Sequence, residues 1–228
     1  NTLNSKTTVA VNSTAVTTIT GTAADINTAY TSNAAGTITG LGNEAITISD
    51  NITVAQANVI SAFTTGVVTA TISDGDTAIL AGLNETGNAY TVTVTEALVT
   101  AAALNTLNTK TTVPITVTST TITGTFADVN TVYAEGTVGT ITGLGNEAIT
   151  ISGTITVAQA NTLAAQTTGV ITAAISDGDM ATLSGLTETG NAYTVTVTDS
   201  SVAASTLNAL DGKTSVTVNA TAITTITG

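Results

Sequence analysis

The chain has 228 residues, with three lysines, fifteen acidic side chains, no histidine and no cysteine, and a formal net charge of −12. That balance excludes the basic footprint that nucleic acid needs, docking on anionic lipid, and disulfide or thiolate chemistry. Charged residues make up only 8% of the chain and hydrophobic ones 42%, so this is no acidic disordered tail, and the length suffices to bury a core.

Threonine supplies about a quarter of the residues, far above ordinary usage, and β-branched enrichment of that size favours strands. No apolar run approaches the ~20 residues that span a bilayer. The sequence starts at Asn1 with no secretory-signal pattern, so it reads as a piece of something longer or a processed product.

In chain order, residues 1–8 read as the tail of a preceding repeat, 9–112 as one copy, 113–215 as a second, and 216–228 as the start of a third. The period is near 103. "GLGNEAITIS" at 40–49 returns at 143–152, "ITVAQAN" at 52–58 returns at 155–161, and "GNAYTVTVT" at 87–95 returns at 190–198. Self-similarity at a fixed period marks a repeat architecture.

Within the second copy four shorter units follow one another, at 113–138, 139–169, 170–191 and 192–215. Each begins with a strand pattern: "VPITV", "AITIS", "VITAAIS" and "AYTVTVT". In the last, Tyr193, Val195 and Val197 take one face and Thr194, Thr196 and Thr198 the other. Each then continues into a stretch that reads as helical: "TFADVNTVYA", "ITVAQANTLAAQ", "DMATLSGL" and "DSSVAASTLNAL". Val129, Val132 and Tyr133 fall at helical spacing, Thr125 and Asp128 form a capping-box pair, and Asp76 and Asp179 stand where N-caps belong.

A unit of 20–30 residues cannot bury its own apolar face, and stacking solves this. The expected fold is an α/β repeat, a βα-solenoid with parallel strands and short helices, about four coils per ~103-residue copy. About nine coils at the ~4.8 Å strand spacing give a rod of about 40 Å.

Candidate chemistry is sparse. "SDGD", at 73–76 and 176–179, places Asp74 beside Asp76 and Asp177 beside Asp179 across a glycine. Such pairs suit acid/base hydrolysis of polysaccharide only if basic residues converge on them. They also suit calcium, with Glu44 or Glu147 and Glu85 or Glu188 completing a shell from a neighbouring coil. The plain alternative is a turn whose second Asp caps a helix while the first is exposed. The single lysine of each "KT[TS]V" invites an isopeptide bond to an asparagine, or simply an exposed place at a strand entrance. Thr91, Thr93 and Thr95, with Thr194, Thr196 and Thr198, would form outward rows joined by Thr47, Thr69 and Thr71, a face that could bind glycan, ice or a neighbouring chain.

The phrasing "ITVAQAN…TTGV(V/I)TA(T/A)ISDGD…GNAYTVTVT…LNTLNTKTTV" resembles the Thr/Ala/Val-rich tandem repeats of giant cell-surface proteins of marine cyanobacteria, over essentially the whole chain. The resemblance implies an extracellular structural polypeptide, with calcium as a possible ion and no assigned site residue. The expectation is therefore a non-catalytic extracellular repeat segment, a rod or filament. Its partners would be further copies of itself, end-to-end or lateral, with no nucleic acid and no membrane insertion. The alternative is a surface adhesin or phage-type fibre that recognises glycan or ice through its threonine face.

Overall fold

A computed structural model describes all residues, 1–228. Eight helices punctuate the chain: α1 (Ala23–Ala34), α2 (Val54–Ser61), α3 (Thr77–Leu80), α4 (Ala101–Asn108), α5 (Phe126–Val138), α6 (Val157–Ala164), α7 (Met180–Leu183) and α8 (Ala204–Asp211). The 103-residue period is carried into these bounds: α2 and α6, α3 and α7, and α4 and α8 superimpose residue for residue in sequence position. Two compact units form, one from Asn1–Glu96, Thr106–Val117 and Gly139–Thr142, the other from Ala97–Asn105, Thr118–Val138 and Gly143–Gly228.

Every strand pair is parallel. In the first unit a four-stranded sheet runs in the order 18–21, 45–52, 68–72, 89–91. A three-stranded sheet joins 141–142, 115–117 and 93–94, and residues 11–12 pair with 38–39. The second unit has a five-stranded sheet, 192–194, 171–175, 148–155, 121–124 and 98–100, and a pair made by 201–203 with 225–227. The fold is thus mixed α/β, made of small parallel sheets and short helices with no closed barrel.

Alternation explains the sheets. Ile46, Ile48, Val68, Ala70 and Ile72 are buried while Thr47, Ser49, Thr69 and Thr71 are exposed. Parallel sheets are usually covered on both faces. Here threonine, β-branched yet polar, lets one face stay open to water. The covered face takes Ile26 and Tyr30 from α1 and Ala57 and Ile60 from α2, all at helical spacing and all buried. Each large aliphatic side chain so buried contributes about 1.5–3 kcal/mol.

In two places the sequence pattern misleads. "AYTVTVT" reads as one strand, but residues 89–91 belong to the four-stranded sheet and 93–94 to the three-stranded one. The chain changes partners at Val92, whose carbonyl already accepts from Thr116 N–H of the second sheet. In "DSSVAASTLNAL", Ser201–Ala203 is a strand, because residues 225–227 offer it a parallel partner, and the helix starts only at Ala204.

Candidate functional site

The D-G-D turns are resolved by following each carboxylate to its partner. Asp76 caps its own helix, its Oδ1 accepting the Ala78 N–H at 2.8 Å, and Asp179 does the same for Thr182 N–H at 2.9 Å. The preceding aspartates look elsewhere. Asp74 Oδ2 accepts the first N–H of α2, from Val54, at 2.7 Å, and Asp177 Oδ2 accepts Val157 N–H of α6 at 2.7 Å. This corrects the expectation that the first aspartate of each pair is left exposed. The two carboxylates of one turn thus each commit one oxygen to a different helix. The glycine between them is steric: a Cβ on Gly75 would collide with the Thr95 side chain, and one on Gly178 with Thr198.

The same device recurs away from the D-G-D turns, where no local pattern announces it. Asp50 Oδ1 accepts Ala23 N–H of α1 at 2.9 Å, Glu96 accepts Thr77 N–H of α3 at 3.2 Å, and Asp199 accepts Met180 N–H of α7 at 2.6 Å. Five helices thus have their first amide closed by a carboxylate from the following strand–helix unit. An N-terminal amide is an orphan donor at the positive end of the helix dipole, so an anion there is stabilising. Asp50 reaches its amide because Ala45–Ile52 bulges: Thr47 pairs with Thr69 but Asn51 with Thr71, leaving Ile48, Ser49 and Asp50 opposite one residue. Thr53 with Gln56 and Thr156 with Gln159 add complete capping boxes, which account for "TVAQAN". Thr125 and Asp128 pair at the start of α5 as their spacing implies, the Asp128 N–H donating to Thr125 Oγ1 at 3.2 Å.

Glu44 and Glu147 find their partners outside the D-G-D turns. Both are fully buried. Glu44 accepts the Tyr30 hydroxyl at 2.7 Å and the Gly42 N–H at 2.9 Å; Glu147 accepts Tyr133 at 2.9 Å and Gly145 N–H at 2.9 Å. Burial works against the Glu44 charge. Even so, the Tyr30 hydroxyl and the amides of Gly42, Glu44 and Asn43 hold its carboxyl below the usual range. Burial and the neighbouring carboxylates push Tyr30 and Tyr133 well above the ordinary tyrosine value. Glu85 and Glu188 are exposed, and no group of three acidic side chains anywhere in the chain is arranged to hold a metal ion.

The lysine reading takes a definite form in the second unit, where Lys213 Nζ donates to the Thr187 carbonyl at 2.9 Å rather than meeting an asparagine amide. Asparagines instead act as clamps. Asn58 Nδ2 donates to Gly82 O at 2.7 Å while its Oδ1 accepts Asn84 N–H, and Asn161 repeats this with Gly185 and Thr187. Buried Asn88 and Asn191 accept the Val68 and Ile171 amides, each at 2.8 Å. Their signal in the sequence is a polar residue recurring at 103 inside an apolar phrase.

All six threonines of the proposed face are exposed. Thr91 pairs across to Thr71 and Thr93 to Thr116 in separate sheets, so the row along the chain is divided. Alignment is better across strands than along them: Thr20, Thr47 and Thr69 are in register in the first unit, and Thr100, Thr123, Thr150 and Thr172 in the second. Comparison with family models, with curated proteins and with solved structures finds no match to this chain.

Proposed function

We propose that the chain is a non-catalytic, extracellular structural segment, a βα-solenoid portion of a rod or filament that spaces, coats or adheres. The observation that carries this reading is the use made of the charged groups. At five helix starts the carboxylate comes from the next strand–helix unit, and two more carboxylates are sealed on tyrosine hydroxyls. Acidity in this chain ties unit to unit, which is what an extending array requires. The resemblance to surface repeats supports the extracellular placement.

Electron microscopy of the native material tests the proposal by particle length. Uniform filaments far longer than the ~40 Å that stacked strand spacing gives for this chain are the expected result. Discrete short rods would overturn it in favour of a surface binding module. The cross-strand threonine rows favour that second reading, with glycan or ice on the open sheet face, and glycan-array and ice-recrystallisation assays address it directly.

A further inference from the structure

At the C-terminal end of α2 the first unit has a hollow of about 600 Å³, bounded by the segment 61–67 and by the turn 85–88. Its buried lining is polar, Ser61 being 7% exposed and Asn88 6%. Thr65, Glu85 and Thr86 stand exposed at its mouth, and half-exposed Val67 gives it an apolar side. Behind this lining lies Tyr90, 1% exposed, whose hydroxyl has no hydrogen-bond partner. Burial pushes that hydroxyl above the ordinary tyrosine value; the Ser61 side chain opposes the rise, the Glu85 charge adds to it and the Asn88 side chain opposes it. The hydroxyl therefore feels three residues that line the hollow. We propose that this hollow binds a neutral sugar, one of whose hydroxyls enters between Ser61 and Asn88 to take the Tyr90 proton while Glu85 accepts from the next.

Donors and acceptors select that ligand. A buried hydroxyl without a partner gives up its hydration for no return, so its proton is strongly available to an acceptor that reaches it. Asn88 Oδ1 is committed to the Val68 N–H at 2.8 Å, so what this side chain still offers is its Nδ2 donor. Ser61 Oγ holds only the Asn58 carbonyl, at 3.2 Å, a long bond that yields easily. Glu85, by contrast, only accepts. Adjacent groups that accept at one end and donate at the other are the hydroxyls of a sugar, and Val67 suits the C–H side of its ring. Other ligand classes fit worse. An anion meets the Glu85 carboxylate and a net charge of −12, with no basic residue in the lining. A planar aromatic finds no ring in the lining to stack on, and a divalent cation finds one carboxylate where it needs several.

The site goes beyond the structural-segment reading by adding recognition to it, and it uses none of the threonines of the open sheet face. Two-dimensional NMR of the 15N-labelled chain tests it, with methyl glycosides of glucose, galactose, mannose and N-acetylglucosamine added to roughly 50 mM, a range that suits one weak site. The expected result is saturable shifts of the Gly66 and Gly87 amides and the Asn88 Nδ2 protons by at least one sugar, with a dissociation constant of about 1–10 mM. Glu85→Ala raises that constant about fivefold or more by removing a charged acceptor. Tyr90→Phe raises it about threefold or more while the melting temperature holds or rises, because the hydroxyl has no bond within the chain to lose. Glu85 is exposed, so its variant decides if Tyr90→Phe fails to fold. The 6-phosphate of a sugar that binds shifts the same groups less than its neutral parent. No shift of these groups, shifts confined to Thr47, Thr69 and Thr71, tighter binding of the phosphate, or variants that bind like the parent overturn the site. Filament length, the test of the structural reading, is independent of each of these outcomes.

Discussion

Helices α1 and α5 begin 103 residues apart, at Ala23 and Phe126, and head equivalent parts of the two units, yet they are secured differently. In the first unit Asp50 closes the α1 amide, and Phe63 stacks on Tyr30 with ring centroids 4.9 Å apart and planes 15° from parallel. In the second, Gly153 stands in place of Asp50, and Gln166 stands in place of Phe63, its Nε2 donating to Asn130 Oδ1 at 3.3 Å. The Oε1 atoms of Gln166 and Glu147 are buried there without a partner. What the units share is the close-approach glycines, the D-G-D cross-caps and the tyrosine–glutamate pair. Those parts recur in both units, while the stack on Tyr30 and the cap from Asp50 belong to the first alone.

The largest expected effect tests that division. A Cβ at Gly66 would run into the Glu44 carbonyl and Ala45 nitrogen, and one at Gly169 into the same atoms of Glu147 and Ala148. Gly66→Ala and Gly169→Ala should each cost about 3 kcal/mol in urea unfolding. A large loss at one and none at the other would break the equivalence.

All four tyrosines titrate high, Tyr193 being pushed up to about 12 by burial and the Glu188 charge. A raised folded value means stability that is intact below the ordinary 10.0 and is lost as pH climbs toward the folded value. Phenolate absorbance should therefore stay low through pH 10 and rise together with unfolding, in both units alike. A normal titration near 10 in the folded protein would show that these hydroxyls are open to water.

The next effect separates the units. Phe63→Gln should lose about 1–2 kcal/mol with its ring stack, and Gln166→Phe should gain up to about 1 kcal/mol by building that stack on Tyr133. If both changes destabilise, each unit has adapted around its own side chain.

Cross-caps come below that. Asp50→Ala, Asp74→Ala and Asp177→Ala should each cost about 1 kcal/mol in thermal or urea melts. Gly153→Asp should give no return, because Gly153 sits at φ 89°, where a side chain is strained. The smallest effect belongs to Asp179, exposed, with its carboxyl held low by the Thr182 amide. Its contribution is complete above the ordinary carboxylate range and fades as pH falls through the folded value. Asp179→Asn should flatten only that acid limb of a pH–stability curve.

Much of the fold can be read from local patterns, because local patterns cause it. Val129, Val132 and Tyr133 are buried on α5 as their spacing implies, and Asp76 and Asp179 cap helices as their positions imply. The misreadings arise where the cause lies 20 or so residues away. Asp74 looks free in its own turn, and only the approach of Val54 N–H gives it a partner. Glu44 in "GLGNEAITIS" reads as an oxygen offered to a neighbouring coil, and only Tyr30, fourteen residues earlier, explains its burial. Thr91 and Thr93 look like neighbours on one face, and only the sheet order separates them.

The cross-caps also set an order in time. Each arises 27, 20 or 19 residues after the amide it closes, and always from the C-terminal side. A chain emerging N-terminus first, from a ribosome or through an export channel, holds every such helix start unsealed until the next two dozen or so residues follow. Assembly then proceeds as a ratchet running one unit behind the point of emergence, with only the newest segment left open to solvent.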